Sequence, residues 1–255
     1  GLKTGYIGKI ADDPKGQVFK KDLLDNSIYY NTEFLDKTYT EATGKCIVLI
    51  TPDKERTMNT YLGATEFLTD VDIDEELIAQ SEWLYLEGYR FDGQKSKKAF
   101  YKAIEIAKKN KTKIALTLSD SFCVDRHRSD FIYLLNVSAD MVFCNEDELK
   151  SLYQIDDIKK AKEFIDDSIS CVACTCAERG AYLFHGSSIS EISTNKVAVV
   201  DTTGAGDSFA AGFLYGLSKN FTFEKCAAFG NVIAGEVLKV YGPRVEKSLK
   251  NLVMS

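Results

Sequence analysis

The run Asp201-Thr202-Thr203-Gly204-Ala205-Gly206-Asp207 sets two acids around two glycines, a spacing that can hold a phosphate and move a proton. Gly204 and Gly206 admit backbone conformations closed to other residues, so successive N–H groups can converge on one anion. Downstream, Phe209, Phe213 and Leu217 fall at i, i+4 and i+8. That stripe predicts a helix over 208–217, whose dipole adds positive potential at the same place. Asp207 sits at the mouth of this helix, where a carboxylate can take the proton of an attacking hydroxyl. A plain N-cap is the alternative for Asp207, but a cap needs neither two glycines nor a second acid. The run is not a P-loop, because no Lys-Ser/Thr follows the glycines; Gly44-Lys45 is followed by Cys46 and lacks the upstream glycine.

A loop of this kind needs a strand to deliver it, and the small and β-branched residues 197–200 suit a buried parallel strand. From residue 83 onward the pattern alternates regularly. Strand-like runs at 83–86, 113–118, 141–144, 170–176 and 197–200 are separated by helical patterns, such as 95–109, 128–135 and 157–167. This predicts an α/β fold, a mostly parallel sheet flanked by helices. Ligands of such sheets bind beyond the carboxyl ends of the strands. Glu87, Asp120, residues 145–148, Thr175 and the 201–207 loop all fall there. Residues 4–10 look strand-like and 17–25 helical. Two extended runs, 27–35 and 45–50, predict a small antiparallel sheet. A hairpin is expected over 181–192, and helices over 223–240 and 245–252 close the chain.

With 255 residues and 45% hydrophobic content, the expectation is one domain over 1–255, the small sheet lying within 26–60. The net charge of −6 argues against a nucleic-acid or anionic-membrane surface. No apolar run approaches a membrane span and the start is unlike a signal peptide, so a cytoplasmic protein is expected. Seven cysteines, an odd count, favour reduced thiols over a disulfide framework. Cys171-Val-Ala-Cys174-Thr-Cys176 reads as a buried strand rather than a metal site, Cys171 and Cys174 facing opposite sides.

Taken together, Asp201, Thr203, Gly204, Ala205, Gly206, Asp207, Phe209 and Gly212 resemble the signature of the ribokinase/PfkB family of carbohydrate and nucleoside kinases, Asp-Thr-x-Gly-Ala-Gly-Asp before a small-residue helix. The resemblance implies a ribokinase-like fold with a small β-sheet lid and Mg·ATP-dependent phosphorylation of a primary hydroxyl on a sugar or nucleoside. Asp207 is then the base, and Gly204, Ala205 and Gly206 form the anion hole. Asn145-Glu146-Asp147-Glu148 resembles the family's Asn-x-x-Glu motif, which implies that Asn145 lies on the triphosphate side and Glu148 organises Mg²⁺ through water. From the residues alone, these acids pair with a helix dipole. The segment 175–180 is similar to the family's Thr-x-Gly-x-x-Gly nucleotide segment, with Ala177 in place of the first glycine, and this implies nucleotide contacts for Thr175 and Gly180. Asn231 matches a position that lines the adenine pocket. For Asp201 and Thr203 the resemblance implies a monovalent cation such as K⁺; the residues alone allow Asp201 simply to tie the loop down by hydrogen bonds.

On the acceptor side, residues 55–64 look like the family's lid-to-core return, with Lys54 for its glycine, which implies Arg56 and Asn59 as acceptor contacts, with Glu87. The segment 118–128 keeps Asp120 but loses the asparagine and arginine spacing of many sugar kinases. It resembles most the bacterial subgroup variously labelled sugar kinase or adenosine kinase. His127 reads as part of a solvated loop face and His185 as structural. Residues 4–16 resemble the family's second portion, and the family's opening strand, aspartate and Gly-Gly turn have no counterpart before them. The lid must cover the bound acceptor or a second copy of the chain, and the resemblance implies both. Tyr29, Phe34, Val48 and Ile50 are then candidates for the apolar face of a homodimer, the alternative being a monomer with the strands folded onto the main domain. A catalytically silent nucleotide-binding sensor or scaffold is the rival function, against which stands the intact Asp207.

Overall fold

The computed structural model describes residues 1–51, 56–245, 249 and 252. They form two compact units, residues 1–48 with 58–114 and residues 49–57 with 115–255.

The first unit begins with β1 (Thr4–Gly5), α1 (Pro14–Asp25) and β2 (Ile28–Tyr29). Helix α1 starts where Asp13 accepts the Gly16 N–H at 2.7 Å and Pro14 fixes the first helical φ. It buries Leu23 against Ile10 and Tyr30. β1 and β2 pair in parallel. β3 (Lys45–Ile50) pairs with β4 (Arg56–Tyr61), so the two-stranded sheet differs from the expected one. Run 27–35 is not a partner of β3, because its side chains are spent elsewhere. Tyr30 belongs to the Ile10 cluster, with Phe34 packed against it, and Leu35 joins Ala11 and Ala64. A 3-10 turn (Gly63–Phe67), α2 (Glu75–Ala79), β5 (Trp83–Glu87), a second 3-10 turn (Gly88–Asp92) and α3 (Gln94–Asn110) follow. Apolar α3 positions 99, 100, 103, 104, 106 and 107 are buried, the stripe its periodicity predicts.

β6 (Lys113–Thr117), α4 (Ser121–Ser138), β7 (Met141–Asn145), α5 (Glu146–Tyr153), β8 (Cys171–Thr175), β9 (Ala181–His185) and β10 (Ser188–Ile192) come next. The six-stranded sheet has the order β10-β9-β8-β7-β6-β5. β6, β7 and β8 run parallel, while β9 is antiparallel to β8 and β10 to β9, so the sheet is mixed. β7 up to Cys144 and β8 up to Cys174 are apolar and buried because both faces are covered, and each strand ends in a polar residue. Asp120 starts α4 earlier than expected by accepting the Cys123 N–H, and His127 interrupts the helix with φ −125°. The stretch expected as a helix over 157–167 is only a 3-10 turn (Ile158–Glu163).

The expected strand over 197–200 is absent. Val199 is 37% exposed, and the Val200 N–H donates to Leu238 O at 2.8 Å, a helix end rather than a sheet neighbour. The loop that follows leads into α6 (Ala205–Ser218), and α7 (Phe223–Val237) packs on α6. A Cβ built on Gly212 would lie 2.9 Å from Gly230 Cα, and one on Gly216 would lie 2.8 Å from Cys226 Sγ. These two α6 glycines let the helices approach backbone to backbone. Most of the expected helix over 245–252 lies outside the described residues. All seven cysteines are free, and all but Cys46 are buried. Burial pushes the Cys226 thiol up to about 11 and raises Cys171 as well.

Candidate active site

In the second unit the 201–207 loop is built around a buried acid. Asp201 is 1% exposed. Its Oδ1 accepts the Thr203 N–H at 2.8 Å and the Thr203 hydroxyl at 2.7 Å, and its Oδ2 accepts the Gly242 N–H at 2.8 Å. These bonds tie the loop down. Gly204 then takes φ +79° as the N-cap of α6, in contact range of Pro243, where a Cβ would lie 2.7 Å from the proline Cβ. No side chain fits there, and the left-handed backbone turns the chain into the helix.

The α6 hydrogen-bond ladder begins with the Ser208 N–H donating to Gly204 O at 2.9 Å. The Gly206 N–H precedes it, and a Cβ on Gly206 would meet nothing within 4 Å. Open space beside the free end of a helix N-terminus suits an anion. Asp207 stands exposed in the first turn of this helix, while Phe209 and Phe213 anchor the helix in the core against Phe143. The arrangement sets an exposed carboxylate in the first turn of a helix whose N-terminus faces open space.

At the end of β7, Asn145 and Glu148 form a reciprocal capping box. Asn145 Oδ1 accepts the Glu148 N–H at 2.9 Å, and the Glu148 carboxylate accepts the Asn145 N–H at 3.0 Å and its side-chain amide at 2.6 Å. Glu148 is 4% exposed. Asn145 lies opposite Thr175 in the β7–β8 register, so the sheet brings both motifs to the same strand ends. Ala177 adopts φ +49°, in the left-handed region that favours glycine. Gly180 has φ +90°, and a Cβ there would lie 2.1 Å from Ile192 O. Asn231, on α7, donates its amide to Ile192 O and Ser193 O at 3.3 Å each, holding the exit of β10. His185 is structural, 3.3 Å from Glu224 and packed on Phe223.

In the first unit, Asn59 is exposed on β4 and Glu87 ends β5. Arg56 opens β4. Arg90, in the turn after Glu87, donates to Thr65 O at 2.9 Å. Among the described residues no group of three His, Cys, Asp or Glu side chains forms a metal cluster, and no helix is long and apolar enough to cross a membrane. Two partners of the loop escaped the sequence reading, Gly242 and Pro243. A Gly-Pro pair signals a turn, but nothing in the sequence says which loop that turn meets.

Residues 1–249 match the family described as pfkB family carbohydrate kinase. The chain is 37% identical to the adenosine kinase from Sinorhizobium meliloti, over all of this chain and 78% of that one, with a TM-score of 0.95. It is 36% identical to a probable sugar kinase protein from Rhizobium etli CFN 42, over all of this chain and 77% of that one, with a TM-score of 0.94. A 5-dehydro-2-deoxygluconokinase of Geobacillus kaustophilus is 26% identical over 249 residues, 93% of this chain and 74% of the relative.

Proposed function

The chain belongs to the pfkB family of carbohydrate kinases, phosphotransferases acting on sugar and nucleoside hydroxyls, and from that premise we propose that it transfers a phosphoryl group from ATP to a primary hydroxyl, with Asp207 as the base. The observation that carries this is the α6 N-terminus, where Gly206 borders open space and Asp207 stands exposed in the first turn. Bound Mg·ATP supplies the phosphoryl group and part of the charge neutralisation. The chain's own residues do the rest. The loop amides hold the developing charge, Asp207 takes the hydroxyl proton, and Asp201 keeps the loop in place. Asn145, Thr175, Gly180 and Asn231 are read as the nucleotide side, and Glu148 as the residue that orders Mg²⁺ through water. Arg56, Asn59 and Glu87 are read as acceptor contacts. A K⁺ ion at Asp201 and Thr203 belongs to this reading as an activator, testable by exchanging K⁺ for tetramethylammonium.

The acceptor is a sugar or a nucleoside; the similar proteins include kinases of both. A panel measuring ADP release with nucleosides and sugars side by side identifies it. On the best acceptor, Asp207→Asn is expected to lower kcat by roughly 10²–10⁴-fold with ATP affinity retained. Near-normal kcat in that variant refutes the assignment. ATP binding without turnover on any acceptor supports the nucleotide-binding sensor instead.

We also infer that β3 and β4 cover the acceptor and pair with a second copy. Of the side chains expected on the dimer face, Tyr29 is 48% exposed, and β3 and β4 offer others in addition. Ile47 is 61% and Leu49 54% exposed on β3, with Met58 and Tyr61 on β4, whereas Phe34 packs into the Ile10 cluster.

A further inference from the structure

Arg179 is the last residue of the short turn between β8 and β9, immediately before Gly180, and Glu146 immediately follows Asn145. Their side chains form an ion pair, Arg179 Nη2 to Glu146 Oε2, across the same strand ends at which Asn145 faces Thr175. Lys150 takes the other oxygen of Glu146 at 2.8 Å. The pair lies near the surface, with the Arg179 side chain 51% and that of Glu146 27% exposed. Arg179 also reaches the face of Tyr182, at 6.0 Å from the ring.

Three acids, Glu146, Asp147 and Glu148, open α5. A polyphosphate arriving at Asn145 and Thr175 therefore meets concentrated negative charge, and the turn beside it holds a cation already committed to one of those acids. An exposed carboxylate pair is weak. A guanidinium–phosphate fork is stronger and more directional. We propose that Arg179 is a nucleotide-phosphate ligand held in reserve by Glu146, and that binding of the triphosphate exchanges the Glu146 carboxylate for a phosphate oxygen on the guanidinium. This rests on the reading of 145–148 and 175–180 as the nucleotide side. No bond is made or broken beyond this exchange of partners.

The exchange predicts opposite signs for the two partners. Binding of a fluorescent ATP analogue with Mg²⁺ is titrated for the wild type, Arg179→Ala, Glu146→Gln and the double variant. Arg179→Ala weakens binding about tenfold or more. Glu146→Gln removes the competitor and tightens binding about two- to fivefold, a gain that no misfolded variant gives. In the Arg179→Ala background the same change has no effect. If the gain persists there, it comes from Lys150 or from net charge, and the proposal is overturned. Weaker binding by Glu146→Gln, or unchanged binding by Arg179→Ala, overturns it too. A wild type that does not bind the nucleotide defeats the nucleotide-side reading itself, whereas tight wild-type binding with a flat cycle defeats only the exchange.

Discussion

Replacing Asp201 tests whether the phosphate loop is held from within the chain. The carboxylate accepts the Thr203 N–H, the Thr203 hydroxyl and the Gly242 N–H, all between 2.7 and 2.8 Å. Asp201→Ala leaves two backbone donors and a hydroxyl without their acceptor. A buried donor left unsatisfied costs about 1–3 kcal/mol. Thr203 is only half-buried, so water meets part of its loss, and removing a buried carboxylate returns some desolvation energy. The balance is a loss of about 2–4 kcal/mol, out of a total stability of about 5–15 kcal/mol. Asp201→Asn keeps one oxygen and turns an amide N–H₂ toward the remaining donor, so it loses about half as much. In urea denaturation, Asp201→Ala should lower the midpoint by about 1–2 M at unchanged slope, and both variants should lose turnover through kcat. A midpoint within about 0.2 M of wild type refutes the tie. If stabilisation instead requires K⁺ in the wild type and Asp201→Ala abolishes that requirement, the carboxylate acts as a cation ligand.

Gly180→Ala should destabilise by about 3 kcal/mol or more, since its Cβ would lie 2.1 Å from Ile192 O at φ +90°. Ala177→Gly should stabilise by about 0.5–1 kcal/mol, because relief of the alanine strain at φ +49° outweighs the unfolded-state entropy that glycine adds; chemical denaturation reads both. A disulfide-exchange reagent should label Cys46 rapidly and the six buried thiols only on unfolding. Burial raises the thiols of Cys171 and Cys226, hydrogen bonding with Cys144 raises that of Cys174, and hydrogen bonding with Cys174 raises that of Cys176. Above about pH 9 the unfolded chain therefore releases protons that the folded one keeps. Stability is full below that pH and falls as pH rises further, so a midpoint that is flat or rises there contradicts the burial. For the lid, sedimentation equilibrium with acceptor and ATP analogue should give a dimer that Ile47→Lys dissociates, and a wild-type monomer at high micromolar concentration excludes it.

What was legible in the sequence was legible for physical reasons. Strands β6 to β8 are short apolar runs ending in polar residues, a pattern only a sheet covered on both faces requires, and their ends lie within two residues of expectation. The 205–218 helix announced itself by its aromatic stripe. Residues 197–200 carry the same β-branched composition as a core strand yet pair with a helix end, because composition records local preference and not the neighbour available. Runs 27–35 and 45–50 were extended or irregular as single segments, but which strand pairs with β3 is decided by tertiary burial of Tyr30 and Leu35. At the site, Asn145-x-x-Glu148 has capping-box spacing and forms one. The Gly242 and Pro243 contacts to the loop, and the Glu146–Arg179 pair, join residues more than thirty positions apart, which no local pattern encodes.

The glycine seam between α6 and α7 bears on how far this protein can drift. With Gly212 facing Gly230 and Gly216 facing Cys226, the spacing of the two helices is a property of main-chain atoms, and rotamer hopping in the core does not alter it. Helix α6 carries Asp207 at one end, so the carboxylate is registered to the core through a joint without adjustable parts. A lineage can repack the surrounding phenylalanines by small steps, whereas a single methyl group at position 212 or 230 shifts the whole helix and the acid with it. Compensation by a second mutation is closed as well, since no residue is smaller than glycine. These positions should therefore change last, after the acceptor side has diversified.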